Sequence, residues 1–161
     1  MRRTIVVIVG IAVVGFIVLQ VLPVGNWIPR LRYPGNPPAG QAVQWDSAET
    51  ESIVRRACYD CHSHETEWPW YSSIAPVSWL VFYDINGGRA EVNFSDMQPD
   101  EAEDLAEDIE DVISDGEMPL PIYLLMHSDA RLTDAEKQTL IGGAARTFGA
   151  TDHEDRSDAD D

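Results

Sequence analysis

Cys58-Tyr59-Asp60-Cys61-His62 is the stretch that most limits how this chain can fold. Two cysteines separated by two residues, with a histidine directly after the second, have the spacing of a covalent attachment site for c-type haem. One helical turn from Cys58 to Cys61 lets both sulfurs face the two vinyl groups of one porphyrin. His62, one residue on, can then turn its imidazole under the iron. A chain built on such a motif must pack around a large, flat, apolar body. These are the only cysteines in the sequence, so there is no disulfide framework. Two chemical rivals share the motif. One is a redox dithiol; the other is a tetrahedral zinc site, for which His64 and His127 could supply the remaining ligands.

The N-terminus sets the compartment. Arg2 and Arg3 precede an uncharged run from Thr4 to Leu22. As a helix this run spans about 28 Å at about 1.5 Å per residue, close to the roughly 30 Å hydrocarbon core of a bilayer. It reads as a membrane helix over residues 1–23, or as a signal peptide. The run is long for a signal peptide, and Pro23-Val24-Gly25-Asn26 is a poor cleavage site, which favours an uncleaved anchor. Arg2 and Arg3 would stay inside and the rest would cross, giving a single-pass protein whose soluble part lies on the outer side. Covalent haem attachment is expected on that side. Trp27 and Tyr33 are placed to sit at the interface.

Residues 24–45 read as a stiff linker, rich in Pro29, Pro34, Gly35, Pro37, Pro38 and Gly40. A soluble domain over residues 46–150 follows. Asp46 or Ser47 caps its first helix, and Ile53, Val54, Ala57, Cys58 and Cys61 recur at helical spacing. Pro76 opens a second helix that Asn86-Gly87-Gly88 is expected to end. A third runs from Pro99 to Ser114, and Thr133-Asp134-Ala135-Glu136 is a capping box opening the last, through about Phe148. Prolines keep Met118 on an extended segment. Residues 151–161 read as an acidic, disordered tail. No strand pairing is evident. The expected fold is all-α: a small cytochrome c-like helical bundle around one haem, preceded by a transmembrane helix.

The formal net charge is −17, from 28 acidic residues against 11 basic ones. Nothing here could neutralise a run of phosphates, which excludes nucleic acid as a partner, and the overall balance opposes docking on an anionic lipid face. It would steer basic redox proteins toward the chain. An acid excess with one lysine, Lys137, also resembles the surfaces of proteins from halophiles.

A longer resemblance surrounds the motif. Ala57 through Ser63, Glu65-Thr66, Trp68-Pro69-Trp70-Tyr71-Ser72 and Ile74-Ala75-Pro76-Val77-Ser78-Trp79-Leu80 resemble the haem-binding domain family of small bacterial and archaeal c-type cytochromes. Asn36-Pro37-Pro38, Asn93-Phe94-Ser95, Gly116-Glu117-Met118-Pro119 and the segment from His127 to Leu132 extend the match. The resemblance implies one covalent haem c per chain and leaves the reaction open. His64 and the acidic tail depart from the pattern.

The candidate residues follow. Cys58 and Cys61 would hold the porphyrin and His62 the iron. Met118 is the first choice for the sixth ligand, since a methionine–proline loop after a helix resembles the distal loop of small cytochromes c; a thioether there raises the reduction potential. His127 is the alternative sixth ligand, unless it bonds locally. Met118 could instead merely fill space. Trp68, Trp70, Tyr71 and Trp79 could wall the porphyrin or form ordinary core. Arg89, or Arg131, could pair with a propionate. The favoured function is one-electron transfer to or from membrane-bound respiratory partners, by a carrier rather than an enzyme. The alternatives are a peroxide- or gas-binding domain with an open sixth position, and a zinc or dithiol module.

Overall fold

The computed structural model of the chain describes residues 1–102 and 104–149; the expected disordered tail lies outside them. Among the described residues the fold is all-α, with seven α-helices, short 3-10 turns and no strand. The helices are α1 (Arg2–Val21), α2 (Val24–Trp27), α3 (Ala48–Ala57), α4 (Tyr59–His62), α5 (Val77–Glu91), α6 (Leu105–Ser114) and α7 (Asp134–Phe148).

Helix α1 has none of its residues buried, and its last turn meets the domain at Leu19 and Gln20. Its length of 20 residues corresponds to about 30 Å, enough to cross a bilayer. The soluble bundle is built on α3, α6 and α7. Ser47 caps α3 by accepting the Thr50 N–H at 3.2 Å, with Glu49 and Glu51 in the first turn and Arg55 and Arg56 in the last, as the helix dipole favours. Its Thr50, Ile53, Val54 and Ala57 are buried. Helix α7 opens on the expected capping box, Thr133 with Glu136, and buries Leu140, Gly143, Ala144 and Phe148 against α3 and α6.

Three boundaries differ from the sequence reading. Helix α5 does not end at Asn86-Gly87-Gly88 but runs through to Glu91. A Cβ on Gly88 would lie 2.7 Å from the carbonyl oxygen of Cys61. The glycine is there to let α5 cross the motif at backbone contact, and that packing outweighs a helix penalty of about 1 kcal/mol. The expected helix from Pro99 to Ser114 divides into a 3-10 turn, Pro99–Ala102, and α6.

The third difference is the largest. The segment expected to be an extended spacer is part of the domain. Residues 23–33 fold back through α2 and the 3-10 turn Pro29–Leu31, and lie along α5. Residues 36–45 then wrap the bundle. Gly40 and Val43 donate backbone N–H groups to Ser95 and Phe94, and Gln41 accepts from Met97, each at 2.9 Å. Val43 and Trp45 pack on the core. Proline and glycine fix the backbone path here, but the free carbonyls and N–H groups of that path find tertiary partners instead of water.

Candidate functional site

The motif sits at a bend between two helices. Cys58 leaves the α-helical region, with φ −125°, and ends α3. Its carbonyl then accepts the N–H groups of Cys61 and His62, at 3.1 and 2.9 Å, which starts the single turn of α4. Both thiols face the interior, and burial pushes each of them up to about 12. Burial lowers His62, so its imidazole is held in the neutral, ligating form. Its Nδ1 lies 3.3 Å from the Val92 carbonyl, which orients the ring.

Asp60, inside the motif, is a structural latch. Its Oδ1 accepts the Glu67 N–H at 2.8 Å and its Oδ2 accepts the Tyr123 hydroxyl at 2.8 Å. Tyr59 is buried, stacked on Phe94, and takes a hydrogen bond from the Trp45 indole at 3.2 Å. Each side chain between the two cysteines therefore anchors the motif to a different part of the chain.

Cys58, Cys61, His62 and Met118 all line one cavity of about 630 Å³. Its walls are largely apolar: Val54 and Ala57 from α3, Leu105, Ile109 and Val112 from α6, Leu140 from α7, with Phe94 and Leu120. Gly87 and Gly88 form part of the α5 wall. The volume lies within the usual range for bound cofactors, about 300–1,000 Å³. The donor set is two sulfurs able to form thioethers, one neutral imidazole and one thioether sulfur. That set suits a haem iron and its porphyrin.

The wall also carries Asp60, Asp84, Glu91, Asp108 and Asp111, and burial raises the Asp84 carboxyl. Arg30 is the one lysine or arginine among the lining residues. Its guanidinium lies over the Tyr83 ring, 5.0 Å from the centroid. Nothing in the sequence singled out Arg30, because it falls in the segment that reads as linker. Tyr123 and Trp45 were equally silent, since no local pattern connects them with the motif.

A family model described as a haem-binding domain matches residues 14–146. The chain belongs to this family. No curated protein and no solved structure matches it. The haem-binding domain as matched begins inside α1 and takes in the wrapped segment, the motif and α7.

Other expected site residues lie elsewhere. His127 is not on the cavity wall; its ring stacks on Tyr123 at 4.0 Å and its Nε2 lies 3.4 Å from the Tyr71 hydroxyl. Trp68 packs on Tyr33 and Phe82, Trp79 lines a separate cleft with Leu19 and Gln20, Tyr71 meets His127, and Trp70 is 73% exposed. None of these four aromatics lines the haem-sized cavity; Trp68 and Trp79 instead pack against residues 19–33, while Tyr71 meets His127 and Trp70 stays exposed. Arg89 is likewise off the wall. It donates to the carbonyls of Ser63 at 2.7 Å and Gly35 at 2.8 Å, and to Asn36 Oδ1 and Thr66 Oγ1. It clasps the wrapped segment to the loop after the motif. Arg131 is exposed and also off the wall. His64, the residue that departs from the family pattern, is half-buried between the Pro38 carbonyl and Asn93. Among the described residues no three His, Cys, Asp or Glu side chains gather as a metal cluster, so His64 and His127 do not join the cysteines as a zinc set.

Proposed function

We propose that this haem-binding domain is a membrane-anchored, mono-haem c-type cytochrome that carries single electrons on the outer face of the membrane. The observation that carries the reading is the meeting of Cys58, Cys61, His62 and Met118 on one apolar cavity. Cys58 and Cys61 would hold the porphyrin through thioethers, one haem per chain. His62 Nε2 and Met118 Sδ would hold the iron. Haem iron ligated in this way takes up and releases one electron.

The chain's own residues supply the rest. The Val92 carbonyl fixes the His62 ring, so the proximal ligand keeps its place as charge changes. The Met118 N–H donates to the Val112 carbonyl at 3.0 Å, which ties the distal loop to the end of α6. The apolar walls exclude water, and Arg30 offers the cavity's one guanidinium to a carboxylate. With both His62 and Met118 available to the iron, electron transfer would be favoured over binding of peroxide or gas. The partners would be redox proteins of the same membrane, basic ones being favoured by the net charge of −17.

Visible and near-infrared spectra of the full chain, oxidised and reduced, with and without carbon monoxide, test this. The expected result is a haemochrome that resists acid extraction and a methionine–iron band lost in Met118→Ala. Carbon monoxide should bind only that variant rapidly, and His127→Ala should leave the spectrum unchanged. Immediate carbon monoxide binding by the unaltered chain would instead point to the open-site alternative.

A further inference from the structure

We propose that the domain lies on the bilayer, seated through an acid-free face formed by residues 19–33 and 68–83, with phospholipid as its partner. This rests on reading α1 as a membrane span. The first support is the join between span and domain. Gln20, in the last turn of α1, donates its amide to the Ala75 carbonyl and accepts the Ala75 N–H, both at 3.0 Å. A single side chain thus bonds both polar groups of one residue, and sets the angle between helix and domain as well as the distance. Asn86 adds a second clasp by donating to the carbonyls of Arg30 and Arg32, at 3.0 and 2.8 Å. With both in place the domain has no slack with which to stand away from the membrane.

The second support is charge. The chain carries 28 Asp and Glu, yet neither residues 19–33 nor residues 68–83 contain one. The first segment contributes Arg30 and Arg32. The 28 carboxylates behind the net charge of −17 all lie in other segments, and salt screens their repulsion of an anionic surface. Charge summed over the whole chain therefore misstates what this face presents.

The third support is what the face exposes. Trp27 is 66% exposed and Trp70 73%, with Ile28 at 49% and Val77 at 45%. In sequence, Trp70 and Val77 flank Ala75 of the join, and Trp27 and Ile28 lie in the segment that follows α1. Tryptophan is enriched at membrane interfaces, where an apolar ring and a polar N–H are both satisfied. In water these surfaces are costly; against lipid they are buried without any partner protein.

The test uses spin labels at introduced cysteines in the full chain, loaded with haem and reconstituted in phosphatidylcholine vesicles. Labels go at Trp70→Cys, Val77→Cys, Glu49→Cys on α3 and Val13→Cys in α1, and the unaltered chain gives the background from Cys58 and Cys61. Power saturation with oxygen against a water-soluble nickel chelate reads depth. The expected result is interfacial depth at 70 and 77, an aqueous signal at 49 and a deep signal at 13. A deep signal at 13 with aqueous signals at 70 and 77 overturns the seating and leaves the span intact. An aqueous signal at 13 overturns the span, and the seating with it.

Discussion

Two adjacent glycines in α7 should respond to the same substitution with opposite signs. A Cβ on Gly143 would come closer than 3.0 Å to Oγ1 and Cγ2 of Thr50, and 2.9 Å from Oδ1 of Asp46. Thr50 is fully buried and its hydroxyl is 2.9 Å from that of the helix cap Ser47, so it has nowhere to move. A Cβ on Gly142 would meet only the end of the Arg146 side chain, at 3.2 Å, which can swing away. Replacing glycine by alanine inside a helix gains about 0.5–1 kcal/mol at either site. Gly142→Ala keeps that gain. Gly143→Ala loses about 1–3 kcal/mol to overpacking and comes out destabilised by up to about 2.5 kcal/mol. The difference between the two variants isolates the steric part, because the propensity part cancels. Thermal or urea unfolding of the haem-loaded chain measures it. Thr50→Ala removes the two closest of the three clashing atoms and leaves only Asp46 Oδ1, so combining it with Gly143→Ala should recover about 1 kcal/mol or more over additivity. If both alanine variants shift stability the same way, or the double variant is additive, then α3 and α7 do not meet at Gly143. This matters to the site, because α3 ends at Cys58 and α7 brings Leu140 to the cavity wall.

Further outcomes follow from the same contacts. Arg89→Lys cannot keep four acceptors on one fork and should cost about 1.5–3 kcal/mol, with faster proteolysis between residues 34 and 45. The haem spectrum should not move; a spectral change without a stability loss would return Arg89 to a propionate. Tyr123→Phe removes the hydrogen bond to Asp60 and should cost about 1–3 kcal/mol in urea unfolding, whereas an unchanged midpoint would mean the latch contributes nothing. Asp46 is held below its ordinary 3.8 by Thr50 and then by Arg146, at 2.7 Å. Its folded value is depressed, so its contribution is complete above pH 3.8 and is lost as pH falls through the folded value. Arg146 is largely exposed, which keeps the effect under about 1 kcal/mol. Stability against pH for Asp46→Asn should be flatter in that acid window and parallel above it.

What could be read in advance was local. The Thr133–Glu136 capping box, a cap at Asp46 or Ser47 and the apolar stripe Ile53, Val54 and Ala57 depend on residues within one or two turns of each other, and they stand in the structure with Ser47 as the cap, whereas Cys58 and Cys61 fall past the end of α3. The family was also legible, because its motifs are short strings around Cys58 and Cys61. The misread parts depend on contacts between distant segments. Gly88 reads as a stop until the carbonyl of Cys61 is seen beside it. Arg89 reads as a free cation, yet its acceptors are mostly backbone and amide oxygens, which leave no mark in composition. The aromatic string from Trp68 to Trp79 reads as a haem wall because haem is the largest apolar body expected, but Tyr33, Leu19 and Gln20 compete for the same rings.

The wrapped segment also decides what can be moved as a unit. A fragment starting at Asp46 would keep the α3 cap and all of the haem motif. It would lose the donors to the Phe94 and Ser95 carbonyls, and the Trp45 ring that lies against both Phe94 and Phe148. It would also strip two of the four acceptors from Arg89. Recombination that grafts this domain onto another N-terminal segment must therefore cut ahead of Gly35, in the turn that follows α1, and not at the helix boundary where the motif's own segment begins.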